Sequence, residues 1–248
     1  MKIAVAGGTG VVGRHVVDVV RERGHDVVVL SRSAGTDLTT GAGLAPALDG
    51  VEAVVDVTSV QTQDAEASRT FFDAVTRNLL AAERAAGVGH HVALSIVGVD
   101  RAAGGYYVGK LHQEELVEAG DVPWTILRAT QFHEFAEQVH GVVTIGPVVL
   151  VPVMRSAPVA AREVGERLVD LVEAGPTGRA TDLGGPAELR MSAMVRAYAR
   201  RVGDRRPVLA VPLPGALGRG MRDGSLVLGP DADRGTRTFA SWLDTVAR

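Results

Sequence analysis

Through the first half of the chain, short and almost continuously apolar runs alternate with longer stretches whose apolar residues return every three or four positions. Continuous apolar runs suit strands covered on both faces, and a period of about 3.6 suits helices with one buried side. Strands are therefore predicted at about 2–6, 26–31, 51–57, 90–96 and 123–128. Val12, Val16, Val19 and Val20 mark a helix from Val11 to Arg23, and Asp64 to Ala86 and Tyr106 to Ala119 carry two more. This alternation is the pattern of βαβ units in an α/β fold, a doubly wound parallel sheet with helices on both faces. The stretch from Ser33 to Gly50 is too short for a full strand and helix, so one βα unit is expected to be abbreviated there.

The first strand runs directly into Gly7-Gly8-Thr9-Gly10-Val11-Val12-Gly13, and that run opens the first helix. In this context Gly7, Gly10 and Gly13 let the backbone turn tightly and approach a pyrophosphate, while the free N–H groups of the helix start attract the anion. Gly7, Thr9, Gly10, Val11, Val12 and Gly13 are the candidate phosphate-binding residues of a Rossmann-type domain. An acidic residue about 20 positions further on would select NAD by accepting from the ribose 2′-hydroxyl. The second strand ends instead in Ser31-Arg32-Ser33, where a guanidinium and two hydroxyls suit a 2′-phosphate, so NADP is the expected cofactor. The alternative for Arg32 is a solvated surface arginine, and Asp37 meets the adenine or is an ordinary loop aspartate. Thr58 and Ser59 follow the third strand, either at the ligand edge of the sheet or as a hydroxyl cap of the next helix.

Beyond about residue 140 the pattern breaks up at Gly146-Pro147, Pro152, Pro158, Gly175-Pro176 and Gly185-Pro186, leaving helices at Arg162–Glu173, Ser192–Val202 and near Arg237–Val246. The organisation expected is an NADP-binding Rossmann domain over 1–140 and a small C-terminal substrate-side region over 141–248 that completes the fold and covers the substrate pocket, together one folding unit. A formal net charge of -3 with both signs spread along the chain offers no stripe for nucleic acid and no polybasic membrane patch. The partner expected is a small-molecule substrate, with no nucleic acid and no membrane, in a monomer or homodimer. The absence of cysteine removes disulfides, thiolate nucleophiles and cysteine zinc sites, and makes the cytoplasm the default location. His133 and Glu134 lack the spacing of a zinc-protease helix, and no metal site is expected. His90, His91 and His112 read as solvated or capping residues, the doublets Arg200-Arg201 and Arg205-Arg206 as a solvated helix end, and Phe132, Phe135 and Val139 as either core or a wall over the nicotinamide.

Of 26 basic residues only Lys2 and Lys110 are lysine, which makes the pair Tyr106 and Lys110, one helical turn apart, conspicuous. A nearby ammonium stabilises a phenolate, lowering the tyrosine's pKa so that it exchanges a proton with a carbonyl or alcohol. The structural alternative packs Tyr106 or Tyr107 at an edge and pairs Lys110 with Glu114 on an exposed helix face. Ser95, at the end of the fourth strand, is placed either to donate to a substrate oxygen or simply to cap the strand.

In their order along the chain, the glycine loop, Ser31-Arg32, Leu94-Ser95-Ile96-Val97-Gly98, Tyr106-Tyr107-Val108-Gly109-Lys110 and the run Trp124-Thr125-Ile126-Leu127-Arg128-Ala129-Thr130-Gln131-Phe132 resemble the atypical short-chain dehydrogenase/reductases. Within them the chain is most similar to the NmrA-like, NAD(P)H-binding branch, a likeness that Gly184-Gly185-Pro186-Ala187-Glu188 and Thr238-Phe239-Ala240-Ser241-Trp242-Leu243 extend to the C-terminal portion. The resemblance implies Tyr106 as catalytic acid/base, Lys110 as its partner and ribose ligand, Ser95 as carbonyl orienter, and Thr130 among the cofactor-binding residues. Two departures stand out: Ser95 and Tyr106 are slightly closer than in the family's standard enzymes, and an extended-type frame would put Val97 at the serine position. Hydride transfer from NADPH to a small carbonyl, quinone-like or conjugated acceptor is the expected activity. The alternatives are an NADP-binding redox sensor without turnover and an NADP-dependent epimerase or dehydratase; sensors of the branch characteristically lack the Tyr-x-x-x-Lys pair.

Overall fold

The structure is a computed structural model that describes residues 1–102, 104–142 and 144–247. Its first part runs β1 (Lys2–Ala6), α1 (Val11–Glu22), β2 (Asp26–Leu30), α2 (Leu44–Ala47), β3 (Ala53–Asp56), α3 (Ala65–Ala86), β4 (His90–Ile96), α4 (Tyr106–Glu118) and β5 (Trp124–Ala129). There follow α5 (Phe135–Val142), β6 (Thr144–Ile145), β7 (Val148–Pro152), β8 (Arg155–Ser156), α6 (Ala161–Ala174), β9 (Gly178–Arg179), β10 (Leu183–Gly184) and β11 (Leu189–Arg190). The chain closes with α7 (Met191–Arg201), β12 (Val208–Val211), α8 (Gly215–Asp223), β13 (Asp233–Arg234) and α9 (Phe239–Thr245). Every predicted strand and helix is present within a few residues, whereas α5 and α8 and the short strands beyond residue 140 were not anticipated.

The elements fall into two compact units rather than the single unit expected, and the division is not a cut at residue 140. One unit takes Met1–Ser95, Gly105–Arg128 and Val164–Thr181, and the other takes Ile96–Gly104, Ala129–Glu163 and Asp182–Arg248. In the first unit the strands bond in the order β2-β1-β3-β4-β5, and β9 also pairs with β5. The pairing is parallel where Ile3 meets Val27 and Ala53, where Val54 meets His91, and where Thr125 meets Gly178. This is the doubly wound, mostly parallel Rossmann-type arrangement. The abbreviated unit is also present: Arg32–Ala34 is a single 3-10 turn and α2 is four residues long.

Alternation along β1 explains how the sheet is covered. Ala4 and Ala6 pack with Leu30, Val54, Val75 and Leu79 from neighbouring strands and α3, so Ile3 and Val5, likewise buried, point to the opposite face. The two ends of α3 are set by Asp64, whose carboxylate accepts from the Ala67 N–H at 2.7 Å, and by Gly87 in the left-handed region at φ 73°.

In the second unit, β7 pairs antiparallel with β6 and parallel with β12, β8 with β11, and β10 with β13, while Leu183 lies opposite Ala129. His133, Phe239, Trp242, Tyr198 and His140 form a run of ring contacts there. Among the described residues no helix is long and apolar enough to cross a membrane.

Candidate functional site

The residues that bear on chemistry gather in the first unit, at the carboxyl ends of β1 and β3 and on the adjoining face of α4. Gly7 has φ 80°, and a Cβ on Gly13 would lie 2.1 Å from Gly7 O, so neither position accepts a side chain without moving the turn. The N–H of Gly10 donates back to Gly7 O at 2.9 Å, closing the loop, and α1 begins with no side-chain cap and no acidic residue in its first turn. Its first-turn N–H groups are thus left to an anion. Beside the loop, a Cβ on Gly7 would meet Val57 O and Thr58 Cα, and the Thr58 hydroxyl is buried without a hydrogen-bond partner. A glycine cradle that a Cβ would fill, an uncapped helix start and an orphaned hydroxyl fit a dinucleotide phosphate.

At the end of β2, Ser31 Oγ and Ser33 Oγ lie 3.0 Å apart and Arg32 is exposed. No carboxylate stands in that Ser-Arg-Ser turn. Asp37 is occupied by its own turn: its carboxylate accepts from the Thr39 hydroxyl and N–H, which, with a smaller contribution from the Arg32 charge, hold it below the usual carboxylate range.

Helix α4 presents Tyr106, Lys110 and Gln113 at one-turn spacing. Its first turn is fixed to α3 by the Ser68 hydroxyl, which donates to Tyr106 O at 2.9 Å. Tyr106 Oη lies 3.1 Å from Ser59 Oγ, and its ring meets Phe72 edge-on at 5.6 Å between centroids. Lys110 Nζ, buried, donates to Leu94 O at 2.5 Å and to Gln113 Oε1, and sits 4.9 Å from the Phe72 ring centre. Gln113 in turn donates to Asp56 Oδ2 at 2.7 Å, while Asp56 Oδ1 accepts from the Thr58 N–H at 2.9 Å.

These contacts correct the expected state of the pair. The Tyr106 phenol is not lowered: burial pushes it up to about 12, against the hydrogen bond from Ser59. Burial likewise pushes Lys110 down to about 8, against the charges of Asp56 and Glu114. The main cause is the same for both, since each side chain lies where its charged form is poorly solvated.

Three other expected neighbours are placed differently. Ser95 is buried beside Glu114, and its hydroxyl makes no hydrogen bond with Tyr106 or Lys110; the hydroxyl at the phenol belongs to Ser59. Glu114 is no exposed partner of Lys110, because it is buried and grips Arg128 at 2.6 Å and Arg179 at 3.0 Å. Thr130 spends its hydroxyl on Ala157 O at 2.5 Å within the second unit. The histidines are not solvated either: His91 bonds Glu83, His90 bonds Thr125 and His112 bonds Asp73, all three being buried. Sequence reasoning passed over Asp56, Gln113 and Phe72. Asp56 did carry a signal, as the one carboxylate inside the apolar run 53–57.

Comparison with known proteins places these features in a lineage. Residues 7–174, more than half of the chain, match a family model described as NAD(P)H-binding. The photosystem II assembly factor Ycf39 of Synechocystis is 31% identical over 111 residues, 39% of this chain and 34% of that protein, so the match spans about a third of the relative's length. Among solved structures, a UDP-glucose 4-epimerase of Stenotrophomonas maltophila with bound NAD and formylated UDP-arabinopyranose superposes at TM-score 0.74, 15% identity and 98% and 96% coverage of the two chains. A dTDP-4-dehydrorhamnose reductase of Clostridium acetobutylicum gives 0.73, 15% and 98% of each chain. A short-chain dehydrogenase/reductase superfamily protein of Agrobacterium tumefaciens with bound NAD gives 0.69, 19%, and 98% and 95%. At these identities the structural likeness speaks for the fold alone.

Proposed function

The chain belongs to the NAD(P)H-binding family, and from that premise we propose that it is an NADP-dependent oxidoreductase of the atypical, NmrA-like short-chain dehydrogenase/reductase kind, passing hydride from NADPH to a small carbonyl, quinone-like or conjugated acceptor. The observation that carries the reading is the half-buried Tyr106 phenol, hydrogen-bonded to Ser59 on the Lys110 face of α4, in the same unit as the glycine loop.

When bound, NADPH supplies the hydride. The protein's own part is to bind, orient and move one proton. Gly7, Thr9, Gly10, Val11, Val12 and Gly13 would line the pyrophosphate, with the free N–H groups at the start of α1 donating to it, and Ser31, Arg32 and Ser33 would clamp the 2′-phosphate. Thr58 offers its orphaned hydroxyl beside the loop. A phenol pushed up to about 12 keeps its proton throughout the physiological range, which is the state a reductase needs in the group that protonates the nascent alkoxide or enolate. Ser59 steadies that hydroxyl, and the Lys110 charge, one turn further on, opposes the negative charge that develops as the proton leaves. Ser95 and Thr130 are not carried into this set.

The test follows NADPH oxidation across quinones, azo and triarylmethane dyes, aldehydes and enones, with two variants. Tyr106→Phe is expected to lower kcat by about 100-fold or more with NADP affinity nearly unchanged. Arg32→Ala is expected to reduce the preference for NADP over NAD by about tenfold or more. Full turnover in Tyr106→Phe overturns the proton-donor assignment. Product formed without net NADPH consumption replaces the reductase with a redox-neutral epimerase or dehydratase.

A further inference from the structure

We propose that Asp56 and Gln113 are positioning residues for Lys110, and that through them the strand end packed against the glycine loop holds the lysine in place. The inference deepens the reading of Tyr106 and Lys110 as the proton-handling pair, and rests on it. Its atoms form one continuous path inside the first unit. A Cβ on Gly7 would lie 2.8 Å from Val57 O and 3.1 Å from Thr58 Cα, so the loop and the end of β3 are in contact. The Thr58 N–H donates to Asp56 Oδ1 at 2.9 Å, Gln113 Nε2 donates to Asp56 Oδ2 at 2.7 Å, and Gln113 Oε1 accepts from Lys110 Nζ. Asp56, Gln113 and Lys110 are 0%, 1% and 3% exposed, so these groups have one another for partners rather than bulk water.

The order of the groups gives the path a direction. An amide has a donor end and an acceptor end. With a carboxylate on one side and an ammonium on the other, only one orientation of Gln113 satisfies both: NH2 toward Asp56 and oxygen toward Lys110. The Asp56 charge therefore sets which way the amide points, and the amide sets where the ammonium sits. The other Lys110 contacts are Leu94 O and the face of Phe72, and the same ring touches Tyr106, so the lysine's place is shared with the phenol's packing.

Other charged groups near Lys110 have partners of their own. Glu114 on the same helix is held by Arg128 and Arg179, His91 from β4 by Glu83, and on α3 Asp73 is engaged by His112 and Arg77. The Asp56 carboxylate is the one that reaches Lys110 through a hydrogen-bonded intermediary.

The chain's two lysines make a direct test practicable, because lysine labelled with 13C at Cε yields one signal for Lys110 and one for Lys2, the internal reference. Asp56→Asn preserves shape and removes the charge; the new amide can accept from Thr58 while its NH2 faces Gln113, which then reverses and turns its own NH2 toward the ammonium. The Lys110 titration midpoint is expected to fall by about one pH unit or more in Asp56→Asn and in Gln113→Leu. The alkaline limb of the pH profile of kcat should move with it, while NADP affinity stays within about threefold. Gln113→Leu keeps the inference falsifiable should Asp56→Asn fail to fold. An unmoved Lys110 midpoint in a folded variant overturns the positioning role, and so does a moved midpoint with an unmoved pH profile in an active enzyme. The labelled-lysine titration needs no substrate, so its failure is separable from failure of the reductase reading, which Tyr106→Phe decides.

Discussion

Gln113 and Glu114 are buried neighbours on α4, yet they serve two polar clusters of opposite character. Glu114 joins Arg128 and Arg179, and Arg179 also grips Glu118, so two carboxylates meet two guanidiniums in direct contact. Burial would raise the Glu114 carboxyl, but the hydrogen bond from Arg128 and the arginine charges outweigh it and hold the group below its ordinary range. Around Gln113 the balance goes the other way: Lys110 faces a backbone carbonyl, an amide and an aromatic ring, Asp56 is one residue removed, and the ammonium is pushed down to about 8. A directly paired cluster fixes its charges and does structural work. A cluster that buries a charge behind an amide leaves that charge easy to move, as proton chemistry requires.

The contrast is most sharply broken by removing one cation from each cluster. Arg128→Met leaves the buried Glu114 carboxylate short of its main partner and is expected to destabilise the fold by about 3–5 kcal/mol, seen as a lower urea midpoint at neutral pH. A loss of well under 1 kcal/mol would show that this cluster is no more structural than a surface ion pair.

Lys110→Met should show the opposite pH signature. The lysine's folded value, about 8, lies below its ordinary 10.5, so between those pH values the unfolded chain binds more protons than the folded one. Stability of the parent relative to Lys110→Met therefore rises from about pH 8 to 10.5, by on the order of 3 kcal/mol, and is flat below that window. Glu114 works in reverse: its contribution is complete above its ordinary 4.5 and is lost as pH falls through its lowered folded value. Urea titrations at pH 7 to 10.5 check the first window; a flat difference there means that the ammonium is not buried at a cost.

The smallest effect concerns the two serines. Ser59→Ala is expected to reduce turnover by about tenfold, because the phenol loses its hydrogen-bond partner, whereas Ser95→Ala, at the Glu114 cluster, should stay within about twofold. Equal losses in both would place Ser95 back at the chemistry.

The glycine loop, the five parallel strands and their helices could be read from the chain because each depends on local pattern: apolar periodicity, a turn that only glycine makes, a cap at Asp64. The arginine-terminated second strand and the Tyr106/Lys110 spacing were readable for the same reason, since one helical turn puts both on one face. The state of that face was not readable. Glu114 follows Lys110 by one turn and suggested a surface pair, while the partners it takes, Arg128 and Arg179, come from β5 and β9.

By itself, then, the amino-acid sequence determined the Rossmann-type scaffold, the glycine turn that follows β1 and which residues of α4 share a face, all of them consequences of local periodicity and backbone geometry. Tertiary structure alone decided that Ser59 rather than Ser95 meets the phenol, that Lys110 answers to Asp56 through Gln113, and that burial moves Tyr106 up and Lys110 down. Solvation and partner choice depend on distant segments packed against a side chain, and no spacing within one helix encodes them.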